Sequence, residues 1–445
     1  MKKLSMIALC LLAAPAMAAE RHIEGSLPNG ARYMFDVPEN WNGTLLLFSH
    51  GYARGPDNPA KNTARGEKAM LLAKGYALAG SSYAVTGWAI EEAVPDQLAT
   101  LDAFTAQVGK PSKTLAWGNS MGGLVTIALV ERYPERFAGG LAQCASASGT
   151  VGMMNIALDG AFAFKTLAAP ASAIPLLWDG AGEQGKREQA AWQQALDQAQ
   201  ASPQGRARIA LAATLAQVPP WSVLDSKQPA ADDVAGQQFQ LYRGFLGATL
   251  LPRGDQLKRA GGNFSWNTGI DYAFQLERSG RAPFVRALYR EAGADLDADL
   301  AKLSGAARIA PQADAVGYMK RHYGPTGKLS KPMLIVQTVA DPATLVELSG
   351  EYARLARASG AGALVREAYV QRVGHCNFKP GESVAALLTL DQQSAKGAWK
   401  TGALDMKALN ALAPEGGDFI DYSPAMFLRP CSGDDAQCLG EPKKP

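Results

Sequence analysis

The 445-residue chain carries only four histidines and five cysteines, and neither kind is grouped. His22, His50, His322 and His375 are scattered, and there is no CxxC pair and no HExxH. No metal-ligand spacing is present, so no metal is expected. An excess of one charge is also missing: Lys and Arg number 44 against 41 Asp and Glu. Without a basic block, neither nucleic acid nor an anionic membrane surface is an expected partner. After residue 20 no apolar run reaches the roughly 18 residues that a membrane span requires. No internal repeat is found. Gly180-x-Gly182-x-x-Gly185 has the spacing of a dinucleotide turn, but the segments that follow read as helix rather than as a second parallel strand. The βαβ context is absent and no cofactor is expected.

What is present begins with a leader. Lys2 and Lys3 precede an apolar run from Leu4 to Leu12, and Ala16-Met17-Ala18 gives a small-x-small pattern. This reads as a signal peptide over 1–18, cut after Ala18, for a secreted or periplasmic protein. A lipid anchor through Cys10 is disfavoured by the bulky Leu9 before it. Hydrophobic residues make up 47% of the chain, ample for a packed core. Without Cys10, four cysteines remain: Cys144, Cys376, Cys431 and Cys438. In an oxidising compartment an even number suggests disulfides, and four cysteines allow three pairings.

Short apolar runs alternate with amphipathic ones up to about residue 145. "ARYMFDVP", "TLLLFSHG", "YALAGSSY", "KTLAWGNS" and "FAGGLAQCA" read as strands, with helices between them such as "PDQLATLDAFTAQVG" and "GGLVTIALVERYP". The alternation resumes after residue 326 with "KPMLIVQTVAD" and "ALVREAYVQ" as strands. Strands separated by helices imply a parallel sheet with helices on its faces. Residues 146–325 are instead Ala- and Gln-rich and helical, an insertion into a core made of 19–145 and 326–410. Its Trp178, Trp192, Trp221 and Trp266 read as packing residues more readily than as a pocket lining. Residues 411–445 read as a C-terminal tail.

The chemistry centres on "WGNSMGGL", where Ser120 stands between Gly118 and Gly122, after a strand and before a helix. A sharp turn there strains the serine backbone, and only small residues two positions away on each side avoid a clash. A serine nucleophile needs a base, and His375, in the loop after the last strand, is best placed among the four histidines. An orienting carboxylate is expected at Asp341, directly after the preceding strand. Asp before Pro342 also suits a helix N-cap, and both roles can coexist. Glu347 is less well placed, and Asp159 is the fallback. The backbone N–H groups of Tyr52, after His50-Gly51, and of Met121 are the expected oxyanion donors.

The order Ser120, Asp341, His375, with His50-Gly51 upstream, resembles the α/β-hydrolase superfamily. The "SHGY", "GNSMGG", "DP" and "GHCNF" blocks are similar to those of secreted bacterial serine esterases and aminopeptidases. Feruloyl esterases and tannases also carry a cysteine just after the histidine, although they have a second one just before the serine, where this chain has Asn119. The resemblance implies an α/β-hydrolase fold with a large, mainly helical lid inserted between the sixth and seventh strands. In that topology Cys144 ends the strand beside the serine strand, and the His375 loop descends onto the same sheet edge. A Cys144–Cys376 disulfide is therefore expected, leaving Cys431 to pair with Cys438.

The expected activity is hydrolysis of carboxylic esters through an acyl-enzyme. A serine aminopeptidase acting on short peptides is the alternative, with Asp179, Glu183 or Asp271 in the insertion as candidates to bind a substrate amine. A non-catalytic scaffold on the same fold is the reading from another class. The complete Ser, His and Asp set argues against it.

Overall fold

The computed structural model describes residues 20–55, 57–397, 399, 402 and 404–431. The expected signal peptide, and Cys438 with its pairing, lie outside the described residues.

Nine strands form one sheet among the described residues: β1 (Arg21–Ser26), β2 (Arg32–Val37), β3 (Thr44–Ser49), β4 (Ala77–Ser81), β5 (Lys113–Asn119), β6 (Gly139–Gln143), β7 (Met333–Ala340), β8 (Val365–Val373) and β9 (Phe419–Ile420). Their order is β1-β2-β4-β3-β5-β6-β7-β8-β9. The pairs from β4 through β8 are parallel, and β1, β2 and β9 add antiparallel strands at the edges. Alternation along each strand divides the side chains between two layers. Leu45, Leu47, Ala116, Ala142 and Ile335 face α2 (Ile90–Gln107) and α3 (Met121–Arg132). Leu46, Phe48, Leu115, Trp117, Leu141 and Val336 face α1 (Lys68–Ala73) and α14 (Pro380–Ser394). Burying each large apolar side chain contributes about 1.5–3 kcal/mol, so a sheet covered on both faces holds its register firmly.

Nine helices lie between β6 and β7 in the described chain, from α4 (Thr150–Ala168) through α5 (Gly182–Gln200), α6 (Pro203–Leu215), α7 (Val234–Thr249), α8 (Gly254–Ala260), α9 (Tyr272–Arg278), α10 (Ala282–Glu291) and α11 (Leu296–Gly305) to α12 (Ala313–Arg321). The helix α4 is mostly apolar and almost wholly buried, as a helix at the centre of a bundle must be, with Asn155 and Asp159 among its buried polar exceptions. Its Gly160 permits close approach to α6, since a Cβ there would come within 2.5 Å of the Ala216 Cβ. Trp178, Trp192 and Trp266 are buried within this block. The Gly180–Gly185 stretch opens α5, and no strand lies next to it in the chain. Beyond β7, α13 (Glu347–Ala358) and α15 (Met406–Leu412) complete the helices.

Three features differ from the sequence reading. The strand β1 goes unseen because its exposed, polar residues show no clean alternation. The helix α2 begins at Ile90, before Pro95, because Ile90, Ala93 and Val94 are buried and their contacts carry the helix through the proline. The described part of the tail is built into the fold: β9 pairs with β8, and Phe427, Leu428 and Arg429 are buried. Arg429 forms an ion pair with Asp159 of α4, which also accepts a 2.9 Å hydrogen bond from the Tyr272 hydroxyl. Removing one partner of a buried pair strands the other charge. Arg429→Met is expected to lower stability by about 3 kcal/mol in urea unfolding.

Candidate active site

Gly118 and Gly122 set the turn at the end of β5. A Cβ on Gly122 would lie 1.9 Å from the Ser49 carbonyl oxygen, and one on Gly118 would lie 2.4 Å from the Gly122 carbonyl oxygen. Only glycine fits either place. Between them Ser120 adopts φ 59° and ψ −125°, a conformation that L side chains rarely take, and its N–H donates to the Gln143 carbonyl at 2.9 Å. Strain of this kind costs about 1–3 kcal/mol and persists only where the surroundings enforce it.

The turn aims Ser120 at residues from two other strands. Ser120 Oγ lies 2.8 Å from His375 Nε2, and His375 Nδ1 lies 2.8 Å from Asp341 Oδ2. His375 follows β8 and is half-buried; Asp341 follows β7 and is fully buried. Asp341 Oδ1 accepts the backbone N–H groups of Ala343 (2.8 Å) and Thr344 (3.0 Å). It therefore caps its own turn rather than a helix, because α13 starts only at Glu347. Burial pushes the Asp341 carboxyl up, but the charge and hydrogen bond of His375 outweigh it and leave the group below its ordinary range. For His375, burial and Arg65 pull downward, yet Asp341 prevails and holds the imidazole above its ordinary value of 6.5.

A covalent link and a hydroxyl tie this group together. Cys144, just after β6, is bonded to Cys376, with their Cα atoms 5.2 Å apart. Both residues have positive φ, 42° and 51°. Cys144, Cys376 and His375 are clustered, but the two sulfurs are joined to each other, which leaves no thiolate for a metal. Thr344 is a participant that the sequence reading missed. Its Oγ1 lies 2.9 Å from both Asp341 Oδ2 and the Cys144 carbonyl oxygen, and 3.2 Å from His375 Nδ1. A threonine three residues after an aspartate in a turn was the available signal.

The His50-Gly51-Tyr52 turn lies against the serine. A Cβ on Gly51 would be 3.2 Å from Ser120 Cβ and 3.7 Å from its Oγ. Met121 is the first residue of α3, where the N–H has no partner within the helix. Among the described residues the Tyr52 N–H makes no hydrogen bond. His50 itself stacks on Tyr83, with ring centroids 4.0 Å apart. Of the other acids considered, Asp159 pairs with Arg429, Asp271 caps α9, and Glu183 pairs with Lys186 at the surface. None of these, nor Asp179 or Glu347, lines the cavity of about 410 Å³ that opens onto Ser120 and His375. Its walls include Tyr52, Trp88, Met153, Met154, Leu251 and Pro252, so the helical block supplies part of them.

A parallel sheet with a strained serine turn after one strand, and histidine and aspartate after two later ones, defines an α/β hydrolase, and the chain belongs to that superfamily. Over 418 residues it is 32% identical to an o-phthalyl amidase of Xanthobacter agilis, covering 87% of this chain and 90% of that protein, and it belongs to the same family. Residues 83–160 match the Prolyl oligopeptidase family. Among solved structures it is similar to an acylaminoacyl peptidase of Pyrococcus horikoshii (TM-score 0.41, 10% identity, 89% of this chain). The chain spans 44% of the length of that peptidase. It is also similar to feruloyl esterase B of Aspergillus oryzae (TM-score 0.38, 15% identity, 84% of this chain and 80% of that one).

The imidazole offers a test that is independent of any reaction. Followed by NMR, the His375 titration is expected to have a midpoint above 6.5. In Asp341→Asn the upward push is gone while burial and Arg65 remain, so the midpoint is expected to fall.

Proposed function

We propose that this chain is a serine hydrolase that cleaves carboxylic esters through an acyl-enzyme. The observation that carries the reading is the continuous Ser120–His375–Asp341 hydrogen-bonded chain, with the serine on a strained turn at the floor of a cavity. As Ser120 Oγ attacks the carbonyl carbon, His375 Nε2 takes its proton. Asp341 fixes the tautomer and stabilises the imidazolium. The N–H groups of Tyr52 and Met121 receive the negative oxygen of the tetrahedral intermediate, each donor contributing on the order of 3 kcal/mol. The imidazolium then protonates the departing alkoxide. Water, deprotonated by His375, releases the acid.

Amide cleavage is the second reading, and the kinship with an amidase favours it. The same residues serve, with His375 protonating a departing amine instead. An aminopeptidase needs a carboxylate to hold the substrate amine. The cavity wall carries Arg54, Lys61 and Arg65 and no Asp or Glu, which counts against it. We read the α4–α12 block as a lid, on the strength of the walls it lends to the cavity. The Cys144–Cys376 bridge supports an exported protein, since such bonds persist in oxidising compartments. No described helix is long and apolar enough to cross a membrane.

The test is a substrate panel of p-nitrophenyl esters, p-nitroanilides and aminoacyl-naphthylamides. Esters, or esters together with anilides, are expected to turn over. Ser120→Ala is expected to abolish turnover, and Asp341→Asn to lower it by ~10⁴-fold. A preference for aminoacyl-naphthylamides, or activity that survives in Ser120→Ala, would overturn the reading.

A further inference from the structure

The Thr344 hydroxyl sits where three polar atoms meet. Its Oγ1 lies 2.9 Å from Asp341 Oδ2, 2.9 Å from the Cys144 carbonyl oxygen and 3.2 Å from His375 Nδ1. Other buried threonines satisfy the hydroxyl within their own helix: Thr100, Thr126 and Thr249 each donate to the carbonyl four residues back. Thr344 lies in no helix, and its hydroxyl faces the triad instead. Its backbone N–H donates to Asp341 Oδ1 at 3.0 Å, so the one residue contacts both oxygens of the carboxylate. Gln337, buried on β7, holds the pair together, its amide donating to Asp341 Oδ2 at 3.3 Å and to the Thr344 carbonyl.

A hydroxyl has a single proton to give. The Asp341 carboxylate and the Cys144 carbonyl are both acceptors at the same distance, and a charged acceptor forms a hydrogen bond about twice as strong as a neutral one. The Thr344 proton therefore goes to Asp341. For His375 Nε2 to accept from Ser120, Nδ1 must carry the ring proton, and it donates to the same Asp341 Oδ2 at 2.8 Å. Two donors compete for one oxygen.

Building on the hydrolase reading, we propose that Thr344 is a positioning residue for the His375 base, its hydroxyl donating to Asp341 Oδ2 so that the carboxylate is aligned with the imidazole and shared between them. A carboxylate beside an imidazole acts on it in two ways. It fixes the tautomer, which the reaction needs, and it favours the imidazolium, which cannot take the Ser120 proton. By occupying part of Oδ2, the Thr344 hydroxyl keeps the alignment and weakens the hold on the imidazolium. More of His375 is then neutral and ready at a given pH. Few other groups act on the ring. Burial lowers its affinity for a proton, Asp341 from the β7 turn raises it, and Arg65 from the segment between β3 and α1 lowers it. Cys376 Sγ lies 3.6 Å from Nε2 but is bonded to Cys144 and does not titrate. His50, Arg54 and Lys61 line the same cavity.

Thr344→Val keeps the shape of the side chain and removes the hydroxyl. Two quantities are measured: the His375 titration midpoint by NMR, and the pH profile of kcat/KM for p-nitrophenyl butyrate. With the competing donor gone, the midpoint is expected to rise by about half a pH unit, the order of one neutral hydrogen bond. The acidic limb of the profile is expected to move up with it, so that the variant loses about threefold more activity on that limb than on the alkaline plateau. Thr344→Ser, which keeps the hydroxyl, is expected to restore both. Thr344→Ala is expected to shift both in the same direction as valine, and serves if valine disturbs the turn. A midpoint that falls would mean that the hydroxyl accepts from Nδ1, and one that stays would mean a structural role alone. Either would overturn the proposal, whatever the melting temperature does, and so would a rise with no matching move of the acidic limb. Hydrolysis of no ester by the unaltered protein would bring down the hydrolase reading, and the midpoints would still decide for or against the Thr344 donor.

Discussion

The contact on which the site depends is the approach of Gly122 to the Ser49 carbonyl oxygen. With 1.9 Å available where a Cβ would stand, the start of α3 is pressed against the end of β3. That closeness leaves the chain no relaxed route from β5 into α3, and Ser120 takes the positive φ as a result. The same approach brings Gly51 against the serine, so one packing constraint places both the hydroxyl and the turn that offers the Tyr52 N–H. The strain is stored in the backbone and balanced by the covered sheet beneath it.

The second half of the site is assembled from further away and needs more than packing. His375 and Asp341 follow different strands, and three links bring them into line. The Cys144–Cys376 bond ties the histidine loop to the end of β6, whose Gln143 carbonyl also accepts the Ser120 N–H. Thr344 connects the Asp341 carboxylate to the Cys144 carbonyl. Each of the three side chains is thus referenced to the end of β6. In this chain the bridge reaches the serine turn by way of the neighbouring strand, with Asn119 in the place where a cysteine precedes the serine in feruloyl esterases and tannases.

Much of this is legible in the sequence, for physical reasons that differ from residue to residue. Ser120 can be read because its glycine spacing is forced by sterics and because the flanking strand and helix have strong periodicity. Asp341 can be read because it directly follows an apolar run long enough to identify a buried strand, and His375 because, of only four histidines, it is the one in the loop after the last expected strand. Thr344 shows locally only as a turn residue three positions after Asp341, and its contact with Cys144, 200 positions away, leaves no mark in the sequence pattern. The cations at residues 54, 61 and 65 escape because the segment has no periodicity and reads as a solvated loop. Only the fold turns one side of it toward a cavity. The β9 strand and the buried Arg429 escape for a similar reason: a segment rich in Gly, Pro and Asp looks like a free tail until its Phe419, Phe427 and Leu428 are seen to be covered.

The central claim is that Ser120 is a nucleophile activated by His375. A fluorophosphonate reacts rapidly only with a serine oxygen that has a base and oxyanion donors beside it. The direct measurement is therefore mass-spectrometric mapping of the adduct after brief exposure of the folded protein to such a probe. The account predicts a single adduct on the peptide containing Ser120, lost when the protein is unfolded first. An adduct on Ser82, Ser146 or Ser148, or no adduct in a preparation that hydrolyses esters, would contradict it.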